Sequence, residues 1–123
     1  MSEPIEVPAQ LQEQLARLQQ LQQTLQAIVV QKQQVELELA DNERALTELQ
    51  KVTDEIIAYK SIGAILVKKD RGSLTKELSE KKELLSVRTS ILSKQEEKIR
   101  GRLTELQQDL QAKLKTMKLR PED

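Results

Sequence analysis

A chain of 123 residues carries 20 basic and 20 acidic side chains, one Tyr, and no His, Cys, Phe or Trp. That leaves little with which to build a compact globule, because the aromatic side chains that bury the most area are nearly absent, and it excludes nucleophilic triads with His, thiol chemistry and His- or Cys-ligated metals. A net charge of zero with both signs interspersed argues against nucleic acid as a partner, since phosphate binding needs a basic stripe.

The chain is read as a single domain. Residues 1–7 form a short acidic stretch broken by Pro4, expected to be a mobile tail, which nevertheless carries Ile5 and Val7. Pro8 suits the first turn of a helix, where its missing N–H costs nothing. From there a heptad seam runs through Leu11, Gln14, Leu18, Leu21, Leu25, Ile28, Lys32, Val35, Leu39, Asn42, Leu46 and Leu49. Nine of those twelve positions are apolar at spacings of three and four, and no Gly or Pro intervenes before Ile62, which predicts one helix over 8–54. Eleven Gln fall between Gln10 and Gln34, yet the leucine spacing persists through them. Gln is a good neutral helix-surface residue, so helix is favoured over low-complexity disorder. Asn42, polar on an apolar seam, is a candidate for setting register.

Near Thr53–Asp54 the periodicity changes. Ile56, Ile57, Tyr59, Ile62, Ile65, Leu66 and Val67 are strand formers. Gly63-Ala64 between two Ile reads as a two-residue type II′ turn, predicting a hairpin over 57–70 with Ile62 facing Ile65, Ser61 facing Leu66 and Lys60 facing Val67. Both faces then carry apolar groups. Such a hairpin either folds onto its own helices or joins hairpins of other subunits in a shared sheet or barrel, because a lone two-stranded ribbon is marginal in water and its edges invite pairing. Arg71-Gly72 makes the next turn, with Asp70 or Ser73 as helix N-cap. A second seam through Leu78, Leu85, Leu92, Ile99, Leu103, Leu106, Leu110 and Met117 predicts a helix over 73–119, stopped by Pro121, with a tail at 120–123. Two helices of similar length around a hairpin pack antiparallel, which brings Leu11 near Met117. The expected fold class is therefore mainly α: a long antiparallel two-helix coiled coil connected by a short β-hairpin that joins an oligomeric β-barrel.

No phosphate-binding glycine motif is present, and carboxylate pairs such as Glu96-Glu97 sit on charged helix faces beside Lys. No catalytic residue, cofactor or metal is assigned, and an enzyme is not expected. No apolar run approaches the length of a membrane span, and the start MSEPIEVP lacks a signal-peptide core, so the cytoplasm is the expected location. What remains is binding. Ile5, Val7, Leu11, Leu114, Met117 and Leu119 lie where the two helix ends meet. They are either ordinary frayed ends or adaptable apolar patches suited to weak, multivalent capture of unfolded chains.

The leucine-rich first helix, the hairpin YKSIGAILVK at Tyr59–Lys68, and the second helix with Lys81-Lys82-Glu83 and Lys94-Gln95-Glu96-Glu97 resemble the β-type subunit of prefoldin, most like its archaeal branch. The resemblance covers roughly Val7 to Leu114, and the single hairpin is its most specific part. It implies a heterohexamer of two α-type and four β-type subunits assembled through a double β-barrel. It also implies an ATP-independent chaperone that holds nonnative proteins at its coiled-coil tips and passes them to a group II chaperonin. On matching positions, Tyr59, Ile62, Gly63, Ile65, Leu66 and Val67 would be the assembly residues, and the six end residues would touch substrate. The competing reading is a structural coiled-coil tether or adaptor, in which the hairpin is a mere kink.

Overall fold

The computed structural model describes residues 8–118, the last two by backbone alone. Helix α1 spans Ala9–Gln50, strands β1 and β2 span Ala58–Ile62 and Ile65–Lys69, and helix α2 spans Arg71–Lys118. Two long helices with a short antiparallel hairpin between them make up the fold, as the sequence predicts. The chain divides into two compact units, residues 31–92 and the remainder.

All twelve predicted seam positions of α1 are buried or half-buried, because a three-four spacing keeps one stripe of a helix turned the same way. In the unit of residues 31–92 the core is Val35, Leu46, Leu74, Leu85 and Leu92, with Leu85 the most enclosed at 2% exposure. The helices run antiparallel there: Asn42 donates from Nδ2 to the Leu78 carbonyl at 2.7 Å, and Arg71 donates from Nε to the Leu49 carbonyl at 2.6 Å. In the other unit Leu11, Ile28, Leu103 and Leu110 are buried.

The helix boundaries differ from those read in the sequence. Helix α1 ends at Gln50 rather than 54, and residues 51–57 form turns closed by Lys51 N–H to Glu48 carbonyl and Ile56 N–H to Thr53 carbonyl, each 3.2 Å. The helix end is held by α2: Arg71 reaches the Leu49 carbonyl and also pairs with Asp54 at 3.0 Å. A guanidinium there satisfies an orphan carbonyl and opposes the negative end of the helix dipole. Helix α2 starts at Arg71 rather than 73, with Asp70 as its N-cap, its carboxylate accepting from the Ser73 N–H at 2.9 Å. Seven residues thus separate α1 from β1, while Asp70 alone separates β2 from α2. That asymmetry sets the helix register around Asn42, which meets Leu78. A fold-back centred on the hairpin turn would bring it near Leu85.

Asn42 is 5% exposed, and its Oδ1 has no hydrogen-bond partner. An unmatched buried carbonyl oxygen costs about 1–3 kcal/mol. The Leu78 carbonyl is already an acceptor within α2, so losing Asn42 orphans nothing. Asn42→Leu is therefore expected to stabilise the chain by about 1 kcal/mol in urea unfolding, while relaxing the register that one polar seam residue enforces. A loss of stability would show that the Asn42–Leu78 bond outweighs the desolvated oxygen.

Candidate functional site

Two places gather the residues singled out by the sequence. The first is the hairpin. Its register is Ala58↔Lys69, Tyr59↔Lys68, Lys60↔Val67, Ser61↔Leu66 and Ile62↔Ile65, and Gly63 alone among the described residues has positive φ, at 56°. A positive φ at the first turn position and an ordinary one at Ala64 fit the type II′ expectation.

One hairpin face points back toward its own chain. Ala58, Lys60, Val67 and Lys69 are half-buried. Lys60 Nζ donates to Glu77 Oε1 of α2 at 2.9 Å, and Lys69 lies 3.9 Å from the same oxygen. The rest is open: Tyr59 is 58% exposed, Ile62 47%, Ile65 61% and Leu66 69%, with Ile56 and Ile57 exposed beside them. The sheet has two strands among the described residues, so both outer edges lack a neighbour. This is a docked hairpin whose apolar tip and second face are left uncovered.

The Lys60 hydrogen bond, helped by the charges of Lys60 and Lys69, holds the Glu77 carboxyl below its ordinary value. The Ser73 backbone N–H, aided by the Ser73 side chain, does the same for Asp70. Groups whose folded-state pKa is depressed contribute stability above their unfolded pKa and lose it as pH falls through the folded value. Stability is therefore expected to be flat from neutrality to about pH 5 and to fall below about pH 4. Glu77→Gln with Asp70→Asn should flatten that acid limb in pH-dependent thermal melts. An unchanged limb would mean that other carboxylates set it.

The second place is where the start of α1 meets the end of α2. Pro8, whose carbonyl accepts from the Gln12 N–H at 3.0 Å, joins Gln10, Leu11, Ala112, Lys113 and Thr116 in lining an open notch of about 320 Å³. Leu11 forms its buried floor at 5% exposure, and Leu114 stands 45% exposed on α2. Behind the notch, Gln14 bridges the helices, donating to Asp109 at 2.8 Å and accepting from Lys113 at 2.9 Å, while Lys113 and Asp109 approach to 3.3 Å. Ile5, Val7 and Leu119 lie outside the described residues, as does the side chain of Met117. Gln10, Ala112, Lys113 and Thr116 were not singled out from the sequence, because small and polar residues give no apolar signal, and Pro8 was read only as a helix start.

Among the described residues no helix is long and apolar enough to cross a membrane, and no group of three or more acidic residues could hold a metal ion.

The family model described as "Prefoldin subunit" matches residues 12–117. The prefoldin subunit beta of Archaeoglobus fulgidus is 54% identical over 106 residues, covering 86% of this chain and 91% of that relative. That of Methanothrix thermoacetophila is 44% identical, covering 91% and 93%. The crystal structure of the prefoldin beta subunit from Thermococcus strain KS-1 superposes with a TM-score of 0.78 at 38% identity, over 95% of this chain and 98% of that one. With a single hairpin between two heptad helices matched over nearly its whole length, the chain belongs to the prefoldin family of chaperone subunits, as a member of the β type.

Proposed function

We propose that this subunit assembles with α-type subunits and further copies of itself into a heterohexamer of two α and four β chains, joined through hairpins such as Tyr59–Val67. The hexamer acts in the cytoplasm as an ATP-independent holdase: it captures nonnative proteins at the paired helix ends and hands them to a group II chaperonin. One observation carries the reading. Tyr59, Ile62, Ile65 and Leu66 are exposed on a two-stranded sheet with open edges, an arrangement that is marginal in water until another chain covers it. The open notch at the helix ends shares no lining residue with the hairpin, which supports capture there. Weak contacts at several such ends sum through effective concentration, which suits reversible capture. The test is to mix the chain with an α-type subunit and ask whether aggregation of an unfolding protein is suppressed without nucleotide. A mixture that assembles yet leaves aggregation unchanged would favour a passive tether.

A further inference from the structure

Leu15, Val30 and Leu37, exposed on the helices, have no large exposed apolar neighbour one turn away. Isolated cases like these are normal on a protein surface. Leu84, Val87 and Ile91 are different. They are 63%, 56% and 50% exposed and recur at spacings of three and four on α2, so they form one stripe. The stripe is turned away from the seam residues Leu85 and Leu92, which are 2% and 8% exposed. It serves neither the helix pair nor the hairpin.

The charges along this stripe are arranged about its middle. Glu80 lies one turn before Leu84, and Lys94 lies one turn after Ile91. Neither has an ion-pair partner among the described residues. We propose that the Leu84–Val87–Ile91 stripe is a contact surface for a second copy of this chain, laid antiparallel about a two-fold axis at Val87. In that alignment Val87 meets Val87 of the second copy, Leu84 falls within one residue of its Ile91, and Glu80 meets its Lys94 at both ends of the contact. A parallel alignment would set Glu80 on Glu80 and Lys94 on Lys94, so the sequence is self-complementary in one direction alone. Such an isologous contact uses the same patch twice. Three apolar side chains per copy fall well below the roughly 800 Å² per partner of a stable interface, so the contact is weak and depends on concentration.

The natural chain has no cysteine, so each engineered thiol is unique. In the full-length chain under mild oxidation, Val87→Cys is expected to form a disulfide-linked dimer at least tenfold faster than Ser86→Cys, which is also exposed but sits on another side of the helix. Leu84→Cys mixed with Ile91→Cys should give the mixed dimer, with little dimer from either variant alone. Glu80→Lys should slow Val87→Cys cross-linking severalfold, and Lys94→Glu added to it should restore the rate. Cross-linking of Val87→Cys no faster than Ser86→Cys, or self-dimers of Leu84→Cys outrunning the mixed dimer, would overturn the proposal. So would transfer of the Val87→Cys disulfide to an added denatured cysteine-bearing polypeptide in place of a second copy, which would make the stripe a surface for unfolded chains.

Discussion

Replacing Ile65 and Leu66 together by Asp is expected to leave a folded chain that no longer joins other subunits. In the single chain these side chains are 61% and 69% exposed, so their loss removes little packing. Surface changes of that kind usually shift stability by about 0.5 kcal/mol or less. In an assembly that covers the hairpin, the same positions would bury two unpaired carboxylates, each costing several kcal/mol. The two residues also point to opposite faces of the ribbon: Ile65 pairs with Ile62, and Leu66 with Ser61. Both faces are therefore challenged at once. Circular dichroism should report unchanged helix, while light scattering of the mixture with an α-type subunit should lose the hexamer. Gly63→Val should reach the same end by another route. A Cβ at Gly63 meets nothing within 4 Å, so the penalty is not a clash but the φ of 56°, which costs a β-branched residue about 1–3 kcal/mol. A hexamer that forms normally with Asp at 65 and 66 would remove the hairpin from the interface.

The contrast between the two hairpin variants reflects what could be read in advance. Gly63-Ala64 between two Ile fixed turn type and strand register, because a two-residue loop admits few geometries. The α1 seam was equally legible, since every leucine at heptad spacing ends up on the shielded side. The end of α1 was not. No Gly or Pro marks Gln50, and the helix stops where Arg71, twenty-one residues later, takes the Leu49 carbonyl. A boundary made by a tertiary contact leaves no local signal. The uneven connectors then carried the register around Asn42 a heptad away from the symmetric reading. Leu74 and Lys113, both on the shielded side of α2, were missed for a related reason: the first lies just inside a helix start placed too late, and the second is a charged residue whose role depends on Gln14 and Asp109. Of the six end residues, Leu11 lines the notch at 5% exposure, and Leu114 stands 45% exposed.

The notch above Leu11 gives the second large expected effect. Ala112→Asp with Thr116→Asp places two carboxylates on its α2 wall, at positions that are exposed in the chain and tolerate a polar side chain. The hairpin is untouched, so the hexamer is expected to form as before. Each apolar side chain of a client that can no longer settle in the notch forfeits about 1.5 kcal/mol, roughly tenfold in affinity. If clients are captured through several ends at once, as proposed, a tenfold loss at each end becomes a much larger loss for the particle. Suppression of aggregation should therefore fail at stoichiometric chaperone and return in part when the variant is added in large excess. Removing residues 1–10 and 112–123 from an otherwise intact assembly should give the same result, since it takes away five of the six lining residues. Leu11→Asp is a poor substitute: that side chain is 5% exposed, and a carboxylate there would unpair the helix ends as well as spoil the notch. If the doubly substituted hexamer protects as well as the natural one, clients are held elsewhere on the subunit, and the helix ends serve only to close the pair.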